Sequence, residues 1–164
     1  MTTEPAAGDT CVMVHGTCVA LDGAGVLLRG PSGCGKSDLA LRLIDRPGRA
    51  TSGKDIAARL VADDQVMLTL LGKDVMAAPP PRLAGLLEVR GLGIVHLQPA
   101  GPVRLCLVVD LAPAEGIERY PDGADQAHFL GRPVPRVFID PAVASAAARV
   151  RAAMGHLGLA AAAH

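Results

Sequence analysis

Apolar residues in this chain come in short runs separated by turns rich in glycine, proline and acidic residues. Short apolar runs bounded by such turns are typical of buried strands. The turn Asp22-Gly23-Ala24-Gly25 is of the hairpin type, so the first strands are expected to be antiparallel neighbours. The predicted strands are residues 11–21, bent or broken at Gly16, and residues 26–29, 59–62, 65–70, 103–111 and 134–140.

Two segments have the pattern of helices, and several stretches between the strands are expected to be loops. The first helix opens at Lys36-Ser37 and continues through the apolar residues 39–44. The second covers the alanine-rich residues 142–154. Residues 73–81, which end in three consecutive prolines, and the polar residues 112–128 are predicted to be loops. The pattern as a whole indicates an α/β domain.

The composition indicates one domain with a core of small aliphatic side chains. Half of the 164 residues are apolar, but only one Tyr and two Phe are aromatic. We expect a disordered leader at residues 1–10, one folded domain at residues 11–155 and an alanine-rich tail at residues 156–164.

Charge, hydropathy and cysteine content narrow the class of protein further. The 16 basic residues balance 16 acidic ones, and no basic run is present, so a nucleic-acid partner is not expected. No apolar run reaches membrane-spanning length and no signal peptide is recognisable, so a membrane is not expected either. The 4 cysteines show neither C-x-x-C pairing nor zinc spacing, which favours a reduced, cytoplasmic setting.

The most informative motif is a glycine-rich stretch between a predicted strand and the first helix. Gly30-Pro31-Ser32-Gly33-Cys34-Gly35-Lys36-Ser37 matches G-x-x-x-x-G-K-[ST]. Glycines let successive backbone N–H groups turn toward one anion, and the helix adds its positive dipole end. Lys36 can reach the β- and γ-phosphates, and the Ser37 hydroxyl can ligate Mg²⁺. The motif predicts a nucleotide-phosphate site, with a helix-capping turn as the alternative.

Acidic residues at the ends of predicted strands are the next candidates for metal binding and proton transfer. Of the pair Asp63-Asp64, one can hold Mg²⁺ and the other can accept a hydroxyl proton, but a turn with Asx-type hydrogen bonds explains the pattern equally well. By position alone, Asp110 competes for the metal-binding role because it also lies at a strand end. His15 precedes the glycine-rich loop closely, although a histidine near a strand bend is more often structural.

A further segment carries a glutamate and an arginine two positions apart. Glu88 and Arg90 are expected on one face of a strand, just before Gly91-Leu92-Gly93. Glu88 could ligate a metal and Arg90 could clamp phosphate or a partner, with a surface ion pair as the ordinary alternative. The loop 112–128 could also supply an arginine that stabilises the charge of a transition state.

Taken together, these segments resemble the catalytic domain of bacterial HPr kinase/phosphorylase, which acts on a serine of the phosphocarrier protein HPr. The resemblance implies a P-loop-containing mixed sheet with flanking helices, similar to phosphoenolpyruvate carboxykinase. It also implies ATP and Mg²⁺ as cofactors and an HPr-like carrier as the protein partner. The matching pieces occur in the family's order within residues 12–155: His15-Gly16, Gly30–Ser37, Leu60-Val61-Ala62-Asp63-Asp64-Gln65-Val66 and Leu87-Glu88-Val89-Arg90-Gly91-Leu92-Gly93-Ile94.

The resemblance further implies roles for individual side chains in the reaction. His15 falls on the family's catalytic histidine, and Lys36 falls on its phosphate-binding lysine. Asp64 falls on the carboxylate that takes the proton of the substrate serine. Arg119, within Ile117-Glu118-Arg119-Tyr120, matches a catalytic arginine through a looser alignment.

The same resemblance implies a magnesium site. Ser37 and Glu88 fall on the family's magnesium ligands, and Asp63 is the metal-side neighbour of Asp64. Asp110 then becomes a structural residue at the end of its strand.

The chain also departs from the family's pattern. His15 stands so near the start that we expect a short form without the family's usual N-terminal domain, and residues 47–57 resemble an insertion. Residues 140–146 stand where the family carries Pro-Val-Lys-x-Gly-Arg-Asn, a segment linked to dephosphorylation, and they lack its lysine and glycine. Phosphorolysis and the family's hexameric assembly are therefore in doubt, and a homo-oligomer stays an open expectation.

The function predicted from the sequence is that of an ATP- and Mg²⁺-dependent serine kinase acting on an HPr-like carrier protein. Two alternatives use the same phosphate loop. One is a P-loop kinase for a small metabolite, and the other is a nucleotide-responsive regulator without phosphoryl transfer.

Overall fold

The structure is a computed structural model that describes residues 11–123 and 125–157. The predicted leader, residues 1–10, and most of the predicted tail, residues 158–164, lie outside this range. Short 3₁₀ turns occur at Pro81–Leu83 and Ala114–Gly116. The main elements are β1 (Cys11–His15), β2 (Thr17–Leu21), β3 (Ala24–Arg29), α1 (Lys36–Asp45), β4 (Ala58–Ala62), β5 (Gln65–Leu71), β6 (Asp74–Ala78), β7 (Leu86–Val89), β8 (Gly93–His96), β9 (Val103–Leu111), β10 (Asp125–Phe129), β11 (Arg132–Ile139) and α2 (Ala146–His156).

One large mixed sheet forms the frame of the domain. Its nine strands run in the order β1-β5-β6-β9-β3-β2-β4, with β11 also paired to β9 and β10 paired to β11. The strand β9 is parallel to β3 and β11, and the other pairs are antiparallel. The strands β7 and β8 form a separate hairpin. The expected mixed sheet with flanking helices is therefore confirmed.

Both faces of the sheet are buried, each by its own cluster of aliphatic side chains. One cluster packs α1 and α2 against the sheet, through residues such as Leu39 and Val150. The other consists almost entirely of strand residues, including Leu27 and Leu68, so the sheet curls over its own apolar face. Within the described residues, neither helix is long and apolar enough to cross a membrane.

The sequence pattern around the first helix correctly predicts the strands before it and the helix itself. The chain breaks at Gly16 into β1 and β2, and the hairpin after Leu21 makes β2 and β3 antiparallel. Helix α1 begins at Lys36 and buries Leu39, Ala40 and Leu43 on one face. These spacings of three and four residues are the periodicity that predicts an amphipathic helix.

Two strands lie in segments that the sequence predicts as loops, so those predictions are wrong. Residues 73–81 contain β6, whose Met-Ala-Ala end has little intrinsic preference for a strand. Residues 112–128 contain most of β10, in which polar residues alternate with the buried Ala127 and Phe129. Pairing of β6 with β5 and β9, and of β10 with β11, supplies the stabilisation that local propensity lacks.

The second helix begins later than predicted. Helix α2 spans Ala146–His156 instead of residues 142–154. The Asp140 carboxylate accepts hydrogen bonds from the backbone N–H groups of Ala142 at 2.9 Å and Ala114 at 3.1 Å. These bonds hold a turn ahead of the helix, because an aspartate competes for nearby backbone donors.

The four cysteines all carry free thiols. Burial raises the pKa of the Cys18 thiol to about 12, so this residue is a neutral part of the core. Cys11 is exposed on β1, whereas Cys34 is half-buried within the glycine-rich loop.

A buried arginine joins the two helices. Arg151 of α2 is 6% exposed, and its Nη2 donates hydrogen bonds to the backbone oxygens of Leu43, at 3.1 Å, and Arg46. These oxygens lie at the C-terminal end of α1, where carbonyl groups lack helical partners and a cation is favoured. Arg151 therefore fixes the end of the helix that follows the glycine-rich loop.

Replacing this arginine should destabilise the fold. In Arg151→Met the side-chain volume is largely kept, but the carbonyl groups of α1 lose their donor. We expect the free energy of unfolding to fall by about 1–3 kcal/mol, measured by urea denaturation followed by circular dichroism. Arg149→Met is the matched control, because Arg149 lies on the exposed side of the same helix, and it should change stability by less than about 0.5 kcal/mol. Equal losses in both variants would contradict the capping role.

Candidate active site

The glycine-rich loop joins the end of β3 to the start of α1. Strand β3 is buried on both faces, so the position of Gly30 after it is fixed by the core. The backbone φ is 79° at Gly33 and 107° at Gly35, values that side chains with a Cβ rarely tolerate. The first N–H groups of α1 follow directly and lack helical partners. This is the local geometry of an anion-binding loop.

The side chain of Lys36, the first residue of α1, lies against this loop. Its side chain is buried, and its Nζ donates hydrogen bonds to the carbonyl oxygens of Gly30 at 2.8 Å and Pro31 at 2.9 Å. The same nitrogen lies 3.9 Å from the Cys34 Sγ. The loop carbonyls therefore hold the positive charge of Lys36 beside the backbone N–H groups that a bound anion would contact.

The carboxylate of Asp63 connects three elements around the loop. Its Oδ1 accepts hydrogen bonds from the hydroxyl groups of Thr17, at 2.8 Å, and Ser37, at 3.0 Å. Its Oδ2 accepts one from the backbone N–H of Glu88 at 3.1 Å. Asp63 is 7% exposed, so this carboxylate is desolvated and is compensated by three donors. The start of β2, the start of α1 and β7 are thereby fixed to one point.

Thr17 is the functional residue that sequence reasoning missed. It is fully buried and its hydroxyl points at Asp63, yet in the sequence it is one threonine in an apolar strand. The signal that could have found it is its position: it stands two residues after His15, on the strand that precedes β3.

A tight turn of the backbone positions Asp64, the second acid of the pair. The N–H of Gly16 donates to the carbonyl oxygen of Asp64 at 3.1 Å, which joins the β1–β2 break to the β4–β5 turn. A Cβ on Gly16 would lie 2.7 Å from the carbonyl oxygen of Leu28, so only glycine allows this approach. Asp64 has a φ of 67°, a conformation that aspartate tolerates better than most residues.

This turn places the predicted histidine beside the predicted proton acceptor. The Nδ1 of His15 lies 3.6 Å from the Oδ1 of Asp64. The two side chains are 52% and 70% exposed, in contrast to the neighbouring Asp63. Asp64 is therefore accessible to a molecule in solution, whereas Asp63 is held by the protein.

The β7–β8 hairpin forms the opposite wall of the site. Glu88 lies on β7, whereas Arg90 lies just beyond the end of that strand and not on it as expected, and both residues line the same cavity. The Arg90 Nη2 is 3.7 Å from the position that a Cβ would take on Gly33. The guanidinium group thus lies over the glycine-rich loop.

Most of the residues predicted for the site line one cavity of about 510 Å³. From the glycine-rich loop, Gly30, Pro31 and Cys34 are not among the lining residues. The residues that line it are His15, Thr17, Ser32, Gly33, Gly35, Lys36, Ser37, Asp38, Leu41, Asp63, Asp64, Glu88, Val89 and Arg90.

A second, more open concavity of about 650 Å³ lies between residues 51–52 and the end of α2. Its lining includes a single ionisable side chain, that of His156, and none of the candidate site residues. We therefore take the cavity around the glycine-rich loop as the candidate active site, because the candidate residues are concentrated there.

Two other predicted candidates lie outside the cavity. Arg119 is exposed in the segment that follows the 3₁₀ turn Ala114–Gly116, and it does not line the cavity. Asp110 accepts hydrogen bonds from Arg29 Nε at 2.8 Å and Nη2 at 2.9 Å. This pair ties β9 to the last residue of β3, in agreement with a structural role for Asp110.

The oxygen ligands of the cavity suit a magnesium ion bound together with phosphate. Ser37 Oγ and Asp63 Oδ1 lie 3.0 Å apart, and the Glu88 side chain lines the same space. Among the described residues no group of three or more His, Cys, Asp or Glu side chains forms a metal cage by itself. Mg²⁺ does not require such a cage, because it commonly uses one or two carboxylates with water and substrate phosphates.

Comparison with solved structures supports the fold. The Hpr(Ser) kinase/phosphatase from Coxiella burnetii superposes with a TM-score of 0.72 over 90% of this chain and 97% of that chain. Sequence identity between the two is 21%, so this likeness concerns the fold alone.

Comparison with known sequences identifies the family. The HPr kinase/phosphorylase of Lacticaseibacillus casei (strain BL23) is 36% identical over 137 residues, or 77% of this chain and 40% of that protein. The HPr kinase/phosphorylase of Burkholderia lata is 37% identical over 139 residues, or 79% of this chain and 40% of that protein. The chain thus spans less than half the length of these relatives. A sequence profile described as HPr Serine kinase C-terminal domain matches residues 9–139, and the chain belongs to this family.

Proposed function

We propose that this protein is an ATP- and Mg²⁺-dependent kinase that phosphorylates a serine of an HPr-like phosphocarrier protein in the cytoplasm. The observation that carries the proposal is that one cavity unites Lys36 and Ser37 with Asp63, Asp64 and His15. This set contains a phosphate-binding loop, oxygen ligands for a metal and an accessible base. Membership of the HPr Serine kinase C-terminal domain family supports the choice of a serine in a carrier protein.

In this proposal the glycine-rich loop, residues 30–37, holds the phosphates of ATP. The backbone N–H groups around Gly33 and Gly35 and the start of α1 would bind the oxygens. Lys36 would exchange its bonds to the loop carbonyls for bonds to phosphate oxygens, which carry the opposite charge and therefore bind the ammonium group more strongly.

Ser37, Asp63 and Glu88 would hold the magnesium ion. Bound Mg²⁺ supplies neutralisation of the phosphate charge that develops during transfer. Asp63 keeps its Oδ1 beside the Ser37 hydroxyl because Thr17 and the Glu88 N–H fix the carboxylate from two other directions.

Asp64 would act as the base. The substrate serine gives its hydroxyl proton to the Asp64 carboxylate, its oxygen bonds to the γ-phosphorus, and the bond from that phosphorus to the β,γ-bridging oxygen breaks to release ADP. His15, 3.6 Å from Asp64, would orient this carboxylate and stabilise charge near the transferring group. Asp64 is the accessible acid of the pair, which supports this assignment.

The proposal does not extend to phosphorolysis. The segment 140–146 provides a turn held by Asp140 before α2, and it contains no lysine or glycine. No role is given to Arg119, because it does not line the cavity.

The proposal is tested by phosphoryl transfer to the organism's own HPr. Purified protein is incubated with γ-labelled ATP, Mg²⁺ and HPr, and the labelled residue is located by mass spectrometry. We expect label on a serine of HPr and none when Mg²⁺ is removed by a chelator. An active family kinase with its own HPr is the positive control. Turnover driven only by a small metabolite, or nucleotide-dependent partner binding without transfer, would replace the proposal with one of the two alternatives.

Asp64→Asn tests the assignment of the base. Asparagine also tolerates a positive φ, so the backbone turn at Asp64 should persist while the proton acceptor is lost. We expect the rate of transfer to fall at least about 100-fold, with the dissociation constant for MgATP changed less than about threefold. Asp38→Asn is the matched control, because Asp38 lines the same cavity but lies on α1. Loss of ATP binding in Asp64→Asn would assign Asp64 to the metal site.

Thr17→Val tests the arrangement around Asp63. Valine has nearly the same shape as threonine but cannot donate a hydrogen bond to the buried carboxylate. Hydrogen bonds to charged groups are worth about 1.5–3 kcal/mol, so we expect about a tenfold or greater rise in the Mg²⁺ concentration required for half-maximal ATP binding. Thr17→Ser keeps the hydroxyl and should restore the wild-type requirement. An unchanged Mg²⁺ requirement in Thr17→Val would show that Thr17 does not position Asp63.

A further inference from the structure

The start of α1 lacks the side-chain cap that commonly fixes the first turn of a helix. Its N-cap residue is Gly35, which has a φ of 107° and makes no side-chain cap hydrogen bond. A capping side chain would occupy the backbone N–H groups that a phosphate has to bind. The bonds of Lys36 hold the other end of the loop, at Gly30 and Pro31. Other contacts must therefore fix the conformation of Gly35.

The segment between β11 and α2 supplies such a contact. The position that a Cβ would take on Gly35 is 3.4 Å from the Cβ and 3.6 Å from the Cγ of Pro141. The proline ring thus covers the side of Gly35 on which other residues carry a side chain. The ring restricts the backbone of Pro141, and the preceding Asp140 holds the turn through its bonds to the N–H groups of Ala142 and Ala114.

An arginine of α1 ties this segment to the helix. The Nη2 of Arg42 donates a hydrogen bond to the backbone oxygen of Pro141 at 2.6 Å and lies 3.0 Å from the Oδ2 of Asp38. One nitrogen therefore joins a carbonyl group and a carboxylate. Within the described residues, the Nε of the same guanidinium is buried without a hydrogen-bond partner. Because this part of the group is desolvated, the contacts of Nη2 are what keep it in place.

Helix geometry explains how Arg42 reaches the loop. Gly35 stands seven positions before Arg42, and side chains of a helix are directed toward its N-terminus. The guanidinium group therefore lies beside Asp38, one turn back, and meets Pro141 near the N-terminal end of α1. Arg42 itself does not line the cavity. Any effect of Arg42 on a bound nucleotide would have to pass through Pro141.

We propose that Arg42 is a positioning residue for nucleotide binding, which clamps Pro141 against Gly35 and keeps the glycine-rich loop in its phosphate-binding conformation. The inference rests on the proposed binding of ATP by this loop. Without the clamp, the free loop would populate other conformations, and the apparent dissociation constant would rise by the inverse of the competent fraction. The bound complex would be unchanged, so phosphoryl transfer from it would keep its rate. The segment 140–146 would thus serve nucleotide binding.

The first experiment compares Arg42→Met, Arg42→Lys and Arg46→Met. Calorimetry measures the dissociation constant for MgATP, and the assay with HPr at saturating MgATP measures kcat. In Arg42→Met we expect the dissociation constant to rise at least about fivefold, with kcat within about twofold of wild type. Arg42→Lys keeps a charged donor and should restore most of the affinity. Arg46→Met is the control, because that side chain is 88% exposed at the end of α1.

Two results of this comparison would overturn the proposal. One is wild-type affinity for MgATP in a folded Arg42→Met protein. The other is an equal loss of affinity in Arg46→Met, which would show that the effect comes from charge or helix stability and not from the contact with Pro141.

Pro141→Gly tests the other half of the contact and decides the matter if Arg42→Met does not fold. Glycine keeps the carbonyl group that Arg42 binds but removes the ring that lies against Gly35. We expect the dissociation constant for MgATP to rise at least about fivefold here too, with the circular dichroism spectrum of the wild type. Wild-type affinity in Pro141→Gly would overturn the proposal.

A further measurement needs neither nucleotide nor HPr, so it separates failure of this inference from failure of the proposed function. Hydrogen–deuterium exchange of the free protein reports on the amides of Cys34 and Leu39, which donate to Pro31 at 3.1 Å and to Gly35 at 2.9 Å. These amides should exchange at least about fivefold faster in Arg42→Met than in wild type or Arg46→Met. Unchanged exchange would contradict the clamp even if HPr is phosphorylated, whereas faster exchange without label on HPr would refute the kinase function alone.

Discussion

The hydrogen bonds to the Asp63 carboxylate are the interaction on which the site depends. They reach Thr17 on β2, Ser37 on α1 and the backbone of Glu88 on β7, elements that are distant in sequence and belong to different parts of the fold. A buried carboxylate without partners would cost several kcal/mol, so the fold is favoured only when all three elements are in place. The same bonds that stabilise the domain therefore set the distances between the glycine-rich loop, the start of β2 and the β7–β8 hairpin.

Asp64, the neighbouring acid, is positioned by backbone geometry, whereas Asp63 is positioned by hydrogen bonds to its side chain. Asp64 is turned outward by a positive φ, and its carbonyl oxygen is held by the N–H of Gly16, which can approach β3 only because it lacks a Cβ. Adjacent residues thus have opposite environments: Asp63 is buried and accepts three hydrogen bonds, whereas Asp64 is accessible. This contrast would allow the two adjacent aspartates to serve the different roles proposed for them, Asp63 at the metal and Asp64 as the proton acceptor.

The sequence predicts those features that local pattern determines. The strand, glycine-rich loop and helix from Val26 to Ile44 follow from apolar periodicity and glycine spacing, and the acidic pair follows from its place after β4. The strands β6 and β10 could not be predicted, because their weak local propensity is offset only by pairing with adjacent strands and, for β6, with the more distant β9. The role of Thr17 as a partner of Asp63 and the position of Arg119 outside the cavity could not be predicted for a related reason: hydrogen-bond partners and cavity walls are defined only once the chain has folded.

Charge in the cavity explains why the proposed chemistry would require a divalent cation. The lining carries four acidic side chains, Asp38, Asp63, Asp64 and Glu88, against the cations Lys36 and Arg90. A nucleotide triphosphate brought beside these carboxylates would be repelled, since like charges a few ångströms apart interact by about 1–4 kcal/mol at the effective dielectric constants of water and protein surfaces. Mg²⁺ between Ser37, Asp63 and the phosphates would convert this repulsion into attraction, while Asp64 would remain a free base at the other side. The acids that disfavour bare nucleotide are thus the groups that make the magnesium complex the suitable ligand.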